Sequence, residues 1–261
     1  MLSFAGLFGR RSRRTPSVPD GWRVYAIGDI HGCAELLRKL VNRIFEDIAQ
    51  HKDCKPHLVF LGDYIDRGMK SATVIDMLID IETCGVATSF LAGNHEDALQ
   101  QFLEEPMIAP HWFGIGGLAT LLSYGLSAAE GGASRDRFNK IRDSLRAAMP
   151  STHRDFLSRL PVMLELGDYL FVHAGIRPGL ALERQSREDL LSIRGDFTMS
   201  RERHPKRVVH GHSAQPNPVV LPNRICVDTG AYATGRLTCV VLDGDTTETI
   251  SVEMPSGKGA D

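Results

Sequence analysis

Gly28-Asp29-Ile30-His31-Gly32 is the stretch from which the rest of this 261-residue chain is read. An apolar run, Val24-Tyr25-Ala26-Ile27, leads straight into it, and the flanking glycines let the backbone turn around an aspartate and a histidine one residue apart. The design recurs: Leu58-Val59-Phe60-Leu61 runs into Gly62-Asp63, and Ser89-Phe90-Leu91-Ala92 runs into Gly93-Asn94. Between these runs, Leu37, Leu40, Val41, Ile44 and Ile48 recur at helical spacing over 34–49, and Val74, Met77, Leu78 and Ile81 do so over 71–82, with Gly85 as the stop. Pro56 closes the connection into the second run. Strand, helix, strand, helix, strand at intervals of ~30 residues predicts βαβ units, with parallel strands at 23–29, 57–61 and 86–92. Ligands of such sheets gather beyond the carboxyl ends of the strands, which is where Asp29, His31, Asp63 and Asn94 fall.

Residues 97 to about 160 read as a helical insertion capping the sheet, with helices over 136–148 and 151–160 split by Pro150 and a flexible loop at Gly131-Gly132. From Val162 the pattern turns to strand. Val162–Leu166 and Tyr169–Val172 form an expected hairpin around Gly167-Asp168. Arg207–His210, Arg224–Val227, Leu237–Leu242 and Thr249–Val252 are expected to continue a second sheet, antiparallel at least in part, with a hairpin turn at Asp243-Gly244. His173 and His212 each follow an apolar run. The domain plan is a basic, disordered tail over 1–20, a single domain over 21–254 and a second tail over 255–261.

Hydrophobic residues make up 43% and charged residues 24%, as in an ordinary globular protein, and a net charge of −2 gives no ground for nucleic-acid binding. The five cysteines are scattered without a CxxC, which speaks against a disulfide framework or zinc ribbon and fits the reducing cytoplasm. No apolar run approaches the ~18 residues of a transmembrane span. At the N-terminus, Leu2, Phe4, Leu7 and Phe8 precede Arg10, Arg11, Arg13 and Arg14, the reverse of the order in a signal peptide. A weak contact with a membrane surface is the alternative to a plain basic tail there.

Carboxylate and imidazole donors suit manganese, iron or zinc. Two such ions ~3.5–4 Å apart need a shared ligand, and a carboxylate bridges best. Asp63 is the expected bridge. Asp29 and His31 with Asp63 would hold one ion, and Asp63, Asn94, His173 and His212 the other. His95 follows Asn94 and would donate a proton to a leaving oxygen if Asp66 held its other ring nitrogen. Arg67 offers a bidentate clamp for phosphate oxygens and Arg194 a second. Singly, Asp29 and Asp63 read as helix caps or turn residues; that reading loses when His31, Asn94, His95, His173 and His212 are considered together. Of His210 and His212, the glycine before His212 favours it as the ligand, leaving His210 to pack. Cys33 reads as a small packed residue, and Trp112-Phe113 as core or lid rather than a substrate wall.

Gly28-Asp29-Ile30-His31-Gly32, Gly62-Asp63-Tyr64-Ile65-Asp66-Arg67-Gly68 and Gly93-Asn94-His95-Glu96 resemble the three signature motifs of the phosphoprotein phosphatases, a family of calcineurin-like metallophosphoesterases. His173-Ala174-Gly175 and Gly211-His212 are similar to its two later metal-histidine motifs, and the resemblance spans Arg23 to Ala231. It implies an α/β fold, a central β-sandwich of two mixed sheets flanked by helices. It also implies two divalent metal ions, often Mn2+, and hydrolysis without a covalent intermediate. Asp66 and His95 match the family's acid pair, Arg67 its phosphate arginine and Arg194 its second arginine. Ser213 stands where bacterial members often carry threonine, and without the long C-terminal portion of eukaryotic members the chain resembles a compact bacterial one. The expected function is a metal-dependent phosphohydrolase acting on serine/threonine phosphoproteins. The alternatives are symmetrical cleavage of a dinucleoside polyphosphate, diadenosine tetraphosphate, and a non-catalytic binding module of the same fold.

Overall fold

The computed structural model describes residues 15–127 and 134–254. The four arginines of the basic tail, the Gly131-Gly132 loop and the 255–261 tail lie outside the described residues. The first half of the fold runs β1 (Trp22–Ile27), α1 (Ala34–Gln50), β2 (Lys55–Phe60), α2 (Ser71–Glu82), β3 (Ala87–Phe90), then helices α3 (Asn94–Glu104), α4 (Ala109–Ile115), α5 (Gly117–Ser123), α6 (Arg135–Ala148) and α7 (Ser151–Ser158). The second runs β4 (Met163–Leu166), β5 (Tyr169–Val172), α8 (Arg187–Ser192), α9 (Gly195–Thr198), β6 (Arg207–His210), β7 (Val219–Val220), β8 (Arg224–Cys226), α10 (Ala231–Thr234), β9 (Arg236–Asp243) and β10 (Thr246–Glu253). Pro56, expected in a connection, lies inside β2, paired with Arg23.

Two five-stranded mixed sheets pack face to face, in the orders β10-β9-β1-β2-β3 and β4-β5-β6-β8-β7. Strands β1, β2 and β3 are parallel and in step: Ile27 pairs with Phe60, and Phe60 with Phe90. They therefore end level, and the three motif loops leave from one edge. In the second sheet β5, β6 and β8 are parallel, so His173 and Gly211-His212 also follow the carboxyl ends of parallel neighbours.

Val24, Ala26, Val59 and Leu61 of the first sheet meet Tyr169, Phe171, Val209 and Ile225 of the second in a dry layer between the sheets. The other face of the first sheet, with Tyr25, Ile27, Leu58 and Phe60, is covered by Leu37, Leu40, Val74, Leu78, Leu99 and Phe102 from the helices. Trp112, Phe138 and Phe156 belong to this same core, so the helical stretch after Asn94 is built into it rather than laid over it. Leu170, Val172 and Val208 on the outer face of the second sheet pack on Leu190, Ile193 and Phe197.

One expectation is corrected. β9 and β10 do not extend the second sheet; β9 pairs antiparallel with β1, Ala26 opposite Val240, and β10 forms the outer edge of the first sheet. The reason is visible in β9 itself. Leu237, Cys239 and Val241 face the helices while Val240 and Leu242 face the second sheet, so the strand is apolar on both faces. A strand of that kind needs a neighbour on each side and cover on both faces.

At the start of β1 the buried Arg23 donates from Nε to Asp47 Oδ2 of α1 at 2.8 Å and from Nη1 to Asp243 Oδ2 of β9 at 3.0 Å, and the Tyr25 hydroxyl donates to Asp47 Oδ2 at 2.6 Å. Burial opposes ionisation of Asp47, but the hydrogen bonds from Arg23 and Tyr25 outweigh it and hold the carboxyl below its ordinary range. A depressed acid stabilises the fold fully above its unfolded pKa of about 3.9, and that stabilisation is lost as pH falls through the folded value. Asp47→Ala is expected to cost about 2 kcal/mol in urea unfolding at neutral pH, and the cost should shrink progressively as the pH is lowered below about 3.9. A cost that does not change with pH would show that the clamp is not electrostatic.

Candidate metal centre

The level strand ends bring the loops together around one carboxylate. Asp63 Oδ2 lies 3.4 Å from His31 Nε2, 3.4 Å from His173 Nε2 and 3.7 Å from His95 Nε2. His173 Nε2 is in turn 3.1 Å from Asn94 Oδ1 and 3.2 Å from His212 Nδ1. Two groups of donors, His31-Asp63-His95 and Asp63-His173-His212, each have their ligand atoms within 4.8 Å of one another, and Asp63 belongs to both. Asp29 sits at the same centre, its Oδ1 and Oδ2 accepting from the His212 N–H at 3.2 and 3.0 Å. All six residues expected to hold metal are thus gathered in one place.

Their orientation is set by the backbone. His31 Nδ1 bonds the Ile65 carbonyl at 2.8 Å and His173 Nδ1 the Leu61 carbonyl at 2.9 Å; with Nδ1–H as donor, each ring turns Nε2 toward Asp63. Burial pushes His31 and His212 down to about 3, leaving neutral imidazoles fit to donate a lone pair. Burial also acts to lower His173, but Asp63 and Asp29 overcome it and raise that histidine to about 10. Asp63 is held well below its ordinary value, since His173 and His95 outweigh its burial. Asp29 is raised, first by burial and then by the neighbouring Asp228 carboxylate. Among the described residues, the buried Nε2 atoms of His95 and His212 have no hydrogen-bond partner. Carboxylates, imidazoles and an amide oxygen around partnerless buried nitrogens fit divalent manganese, iron or zinc.

The loops carrying these groups are strained. Among the described residues, the non-glycine residues with positive φ are His31 (45°), Asp63 (52°), Asp66 (69°), Arg67 (67°) and His212 (61°), every one a candidate site residue. Each costs of order 1–3 kcal/mol and persists only where its surroundings impose it. Glu96 is one such constraint. Its buried carboxylate accepts the N–H groups of Asp63, Gly93 and Tyr64, all at 2.8 Å. Burial and the adjacent Asp63 push Glu96 up to about 7. Close approach is another: a Cβ on Gly93 would lie 2.1 Å from Asp63 Oδ1, and one on Gly211 2.0 Å from Asp29 Oδ1.

His95 and Asp66 meet as expected. Asp66 Oδ2 accepts His95 Nδ1–H at 2.7 Å and Trp112 Nε1–H at 3.0 Å, and Oδ1 accepts the Thr120 hydroxyl at 2.6 Å. Burial acts to lower the His95 pKa, but Asp63 and Asp66 overcome it and the histidine is raised. Trp112, in the core, thus holds the acid pair rather than walling a substrate. The Arg67 guanidinium stands 4.6 Å over the Tyr232 ring, which meets the His31 ring edge-on at 5.3 Å. Arg194 is exposed and lines a cleft of about 590 Å³ with Asn94, His212, His111, Arg187 and Leu191. His210 is buried against Phe197 and belongs to neither donor group. Cys33 is half-buried, its thiol donating to the His31 carbonyl at 3.4 Å.

Glu96, Tyr232 and Asp228 were not assigned roles from sequence. Glu96 had a readable signal, a glutamate three residues after the glycine that opens a helix. Tyr232 and Asp228 follow the last motif, and only the pairing of β8 with β6 puts them beside the centre. Glu96→Gln is expected to weaken Mn2+ binding ~10–100-fold and cost ~2 kcal/mol of stability, read by titration calorimetry and thermal unfolding. Unchanged metal affinity would remove Glu96 as the organiser of these loops.

Residues 23–245 match the family model described as calcineurin-like phosphoesterase. A bis(5'-nucleosyl)-tetraphosphatase PrpE [asymmetrical] from Anoxybacillus flavithermus is 29% identical over 250 residues, 88% of this chain and 94% of that one. A symmetrical bis(5'-nucleosyl)-tetraphosphatase from Dechloromonas aromatica is 29% identical over 178 residues, 66% of this chain and 52% of that one. Among solved structures, one provisionally assigned as a diadenosine tetraphosphatase superposes with TM-score 0.61 at 22% identity, covering 94% of this chain and 100% of that chain. A cold-active protein-tyrosine phosphatase of a psychrophilic Shewanella does so with TM-score 0.51 at 17% identity, covering 90% and 83%. With a family model matched over most of its length, a sandwich of two mixed sheets and motif loops converging on Asp63, the chain belongs to the calcineurin-like phosphoesterase family.

Proposed function

We propose that this phosphoesterase hydrolyses dinucleoside polyphosphates, cleaving them asymmetrically. The observation that carries the hydrolytic chemistry is the Asp63 carboxylate shared between two groups of buried donors. Asp29, His31, Asp63, Asn94, His173 and His212 would hold two divalent ions, Mn2+ first, with iron or zinc as alternatives. Bound there, such ions supply an acidified water and neutralise phosphate charge. Arg67 and Arg194 bind the phosphate oxygens, Arg67 steadied from one side by Tyr232. His95, held through Nδ1 by Asp66, presents Nε2 to protonate the leaving oxygen.

A phosphoprotein and a dinucleotide offer the same phosphorus to this machinery, and the sequence motifs alone put the phosphoprotein first. Two observations favour the dinucleotide. The relative matched over 94% of its length is named an asymmetrical tetraphosphatase. The cleft of about 590 Å³ beside Asn94 and His212 carries Arg194, a cation suited to a chain of phosphates, with Arg187 beside it held by Asp97 at 2.8 Å.

With Mn2+, diadenosine tetraphosphate should give AMP and ATP. Two ADP would support the symmetrical alternative, phosphate from a phosphoserine peptide alone the phosphoprotein reading, and no hydrolysis of any phosphoester the binding module. Asp63→Ala should abolish binding of both ions, measured by metal analysis after dialysis; retention of two would misplace the bridge. His95→Asn should keep its metal and lose ~10²–10⁴ in turnover on an alkyl phosphate ester. The loss should be smaller on the dinucleotide, whose phosphate leaving group ionises near pH ~6 and needs less help from an acid. Equal losses on both substrates would refute His95 as the proton donor.

A further inference from the structure

Tyr232 does more than steady Arg67. Its ring is 46% exposed, meets His31 of the metal centre edge-on, and lines a cleft of about 270 Å³ with Met69, Leu36 and Met254. Met69 is 59% exposed. Exposed apolar side chains are ordinary one at a time, but an aromatic ring and two thioethers gathered beside a metal centre mark a binding slot. The walls of the slot are held in place. Gly68 N–H donates to the His31 carbonyl at 3.1 Å and Lys70 N–H to the Gly32 carbonyl at 3.2 Å, which ties both sides of Met69 to the His31 loop. The Asp228 carboxylate accepts Gly230 N–H at 2.8 Å, and the Thr234 hydroxyl donates to the Thr229 carbonyl at 2.7 Å, which fixes the short turn that carries Tyr232. The two charged groups of the lining cancel, since Lys70 is paired with Glu35. A chain of phosphates therefore finds no free cation in that lining, whereas a flat uncharged ring finds a matching surface.

We propose that this slot takes the nucleobase next to the attacked phosphorus, an inference that rests on the dinucleoside polyphosphate substrate proposed above. The centre has a cleft beside each of its two donor groups. The slot adjoins the His31-Asp63-His95 group through Tyr232, and the cleft of about 590 Å³ adjoins the Asp63-His173-His212 group through His212. Arg194 lies in the larger of the two. A polyphosphate attacked at the centre carries a nucleoside on each side of the cleaved bond. The unequal clefts match the unequal products of asymmetrical cleavage. The nucleoside monophosphate portion fills the slot, and the portion with the remaining phosphates follows Arg194. The base then packs on Tyr232 and Met69, as bases do on aromatic rings and soft thioethers. The phosphate attached to that base reaches Arg67, which stands over the same Tyr232 ring.

The test is inhibition of alkyl phosphate hydrolysis by AMP and by ribose 5-phosphate, which lacks the base, on the manganese-loaded full chain. AMP should inhibit at least ~10-fold more tightly, the size of one base packed on an aromatic ring. Met69→Asp puts a hydrated carboxylate into the slot and should bring the two inhibition constants together, whereas Met69→Leu should keep them apart. Met69 is exposed, so neither replacement disturbs the core. Photolabelling with 8-azidoadenosine 5'-monophosphate should mark a peptide that contains Met69 or Tyr232. Equal inhibition by the two compounds, a preference for AMP that survives Met69→Asp, or label confined to residues 94–101 or 187–194 of the larger cleft would overturn the slot. Failure of the slot and failure of the substrate give different results. Release of AMP and ATP from diadenosine tetraphosphate without a preference for AMP would refute the slot and keep the substrate. A Met69-dependent preference for AMP in a chain that does not cleave the dinucleotide would refute the substrate and keep a nucleotide slot.

Discussion

The Asp63 carboxylate is removed from water and surrounded by the ring nitrogens of His31, His95 and His173 at 3.4 to 3.7 Å from one oxygen. A buried charge is costly unless it is paired or coordinates a metal. The rest of the centre follows from meeting that cost. His173 answers it electrostatically, raised toward its charged form by Asp63 and Asp29. The carbonyls of Ile65 and Leu61 answer it geometrically, by aiming the rings. An ion on either side of Asp63 would answer it more completely than a proton on histidine can.

Placing such a group needs a fold that stops several strands at one level and then lets the backbone turn sharply. The matched ends of β1, β2 and β3, with β5 and β6 across the sandwich, supply the level. The turns are strained: the positive φ values of His31, Asp63, Asp66, Arg67 and His212 lie at the site. Glu96 and the close packing at Gly93 and Gly211 hold that strain in place. Stability made in the apolar layers is thus spent at the strand ends, and the buried Glu96 carboxylate is where the two regions join.

Much of this was legible because it is local in sequence. An apolar run followed by glycine and aspartate reads as a strand and the turn beyond it, and helical spacing marks what lies between. The convergence of Asp29, His31, Asp63, Asn94, His173 and His212 could be inferred from the parallel sheet, and Asp66 with His95 from their chemistry. Two kinds of information were not local. Whether β9 joined the first or second sheet depended on which strand had an open side, and Leu237 to Leu242 read equally well in either. Tyr232 and Asp228 reach the centre only through the placement of β8 beside β6, and neither carries a pattern of its own. Trp112 read as core or lid, and it is core whose indole N–H also serves Asp66.

The shared carboxylate remains the claim on which the catalytic account stands. Anomalous scattering from crystals of the manganese-loaded protein, recorded at the manganese edge, tests it most directly. Two peaks are predicted, each within bonding distance of an Asp63 oxygen, with His31 on one side and His173 and His212 on the other. A single peak, or two peaks of which only one touches Asp63, would contradict it.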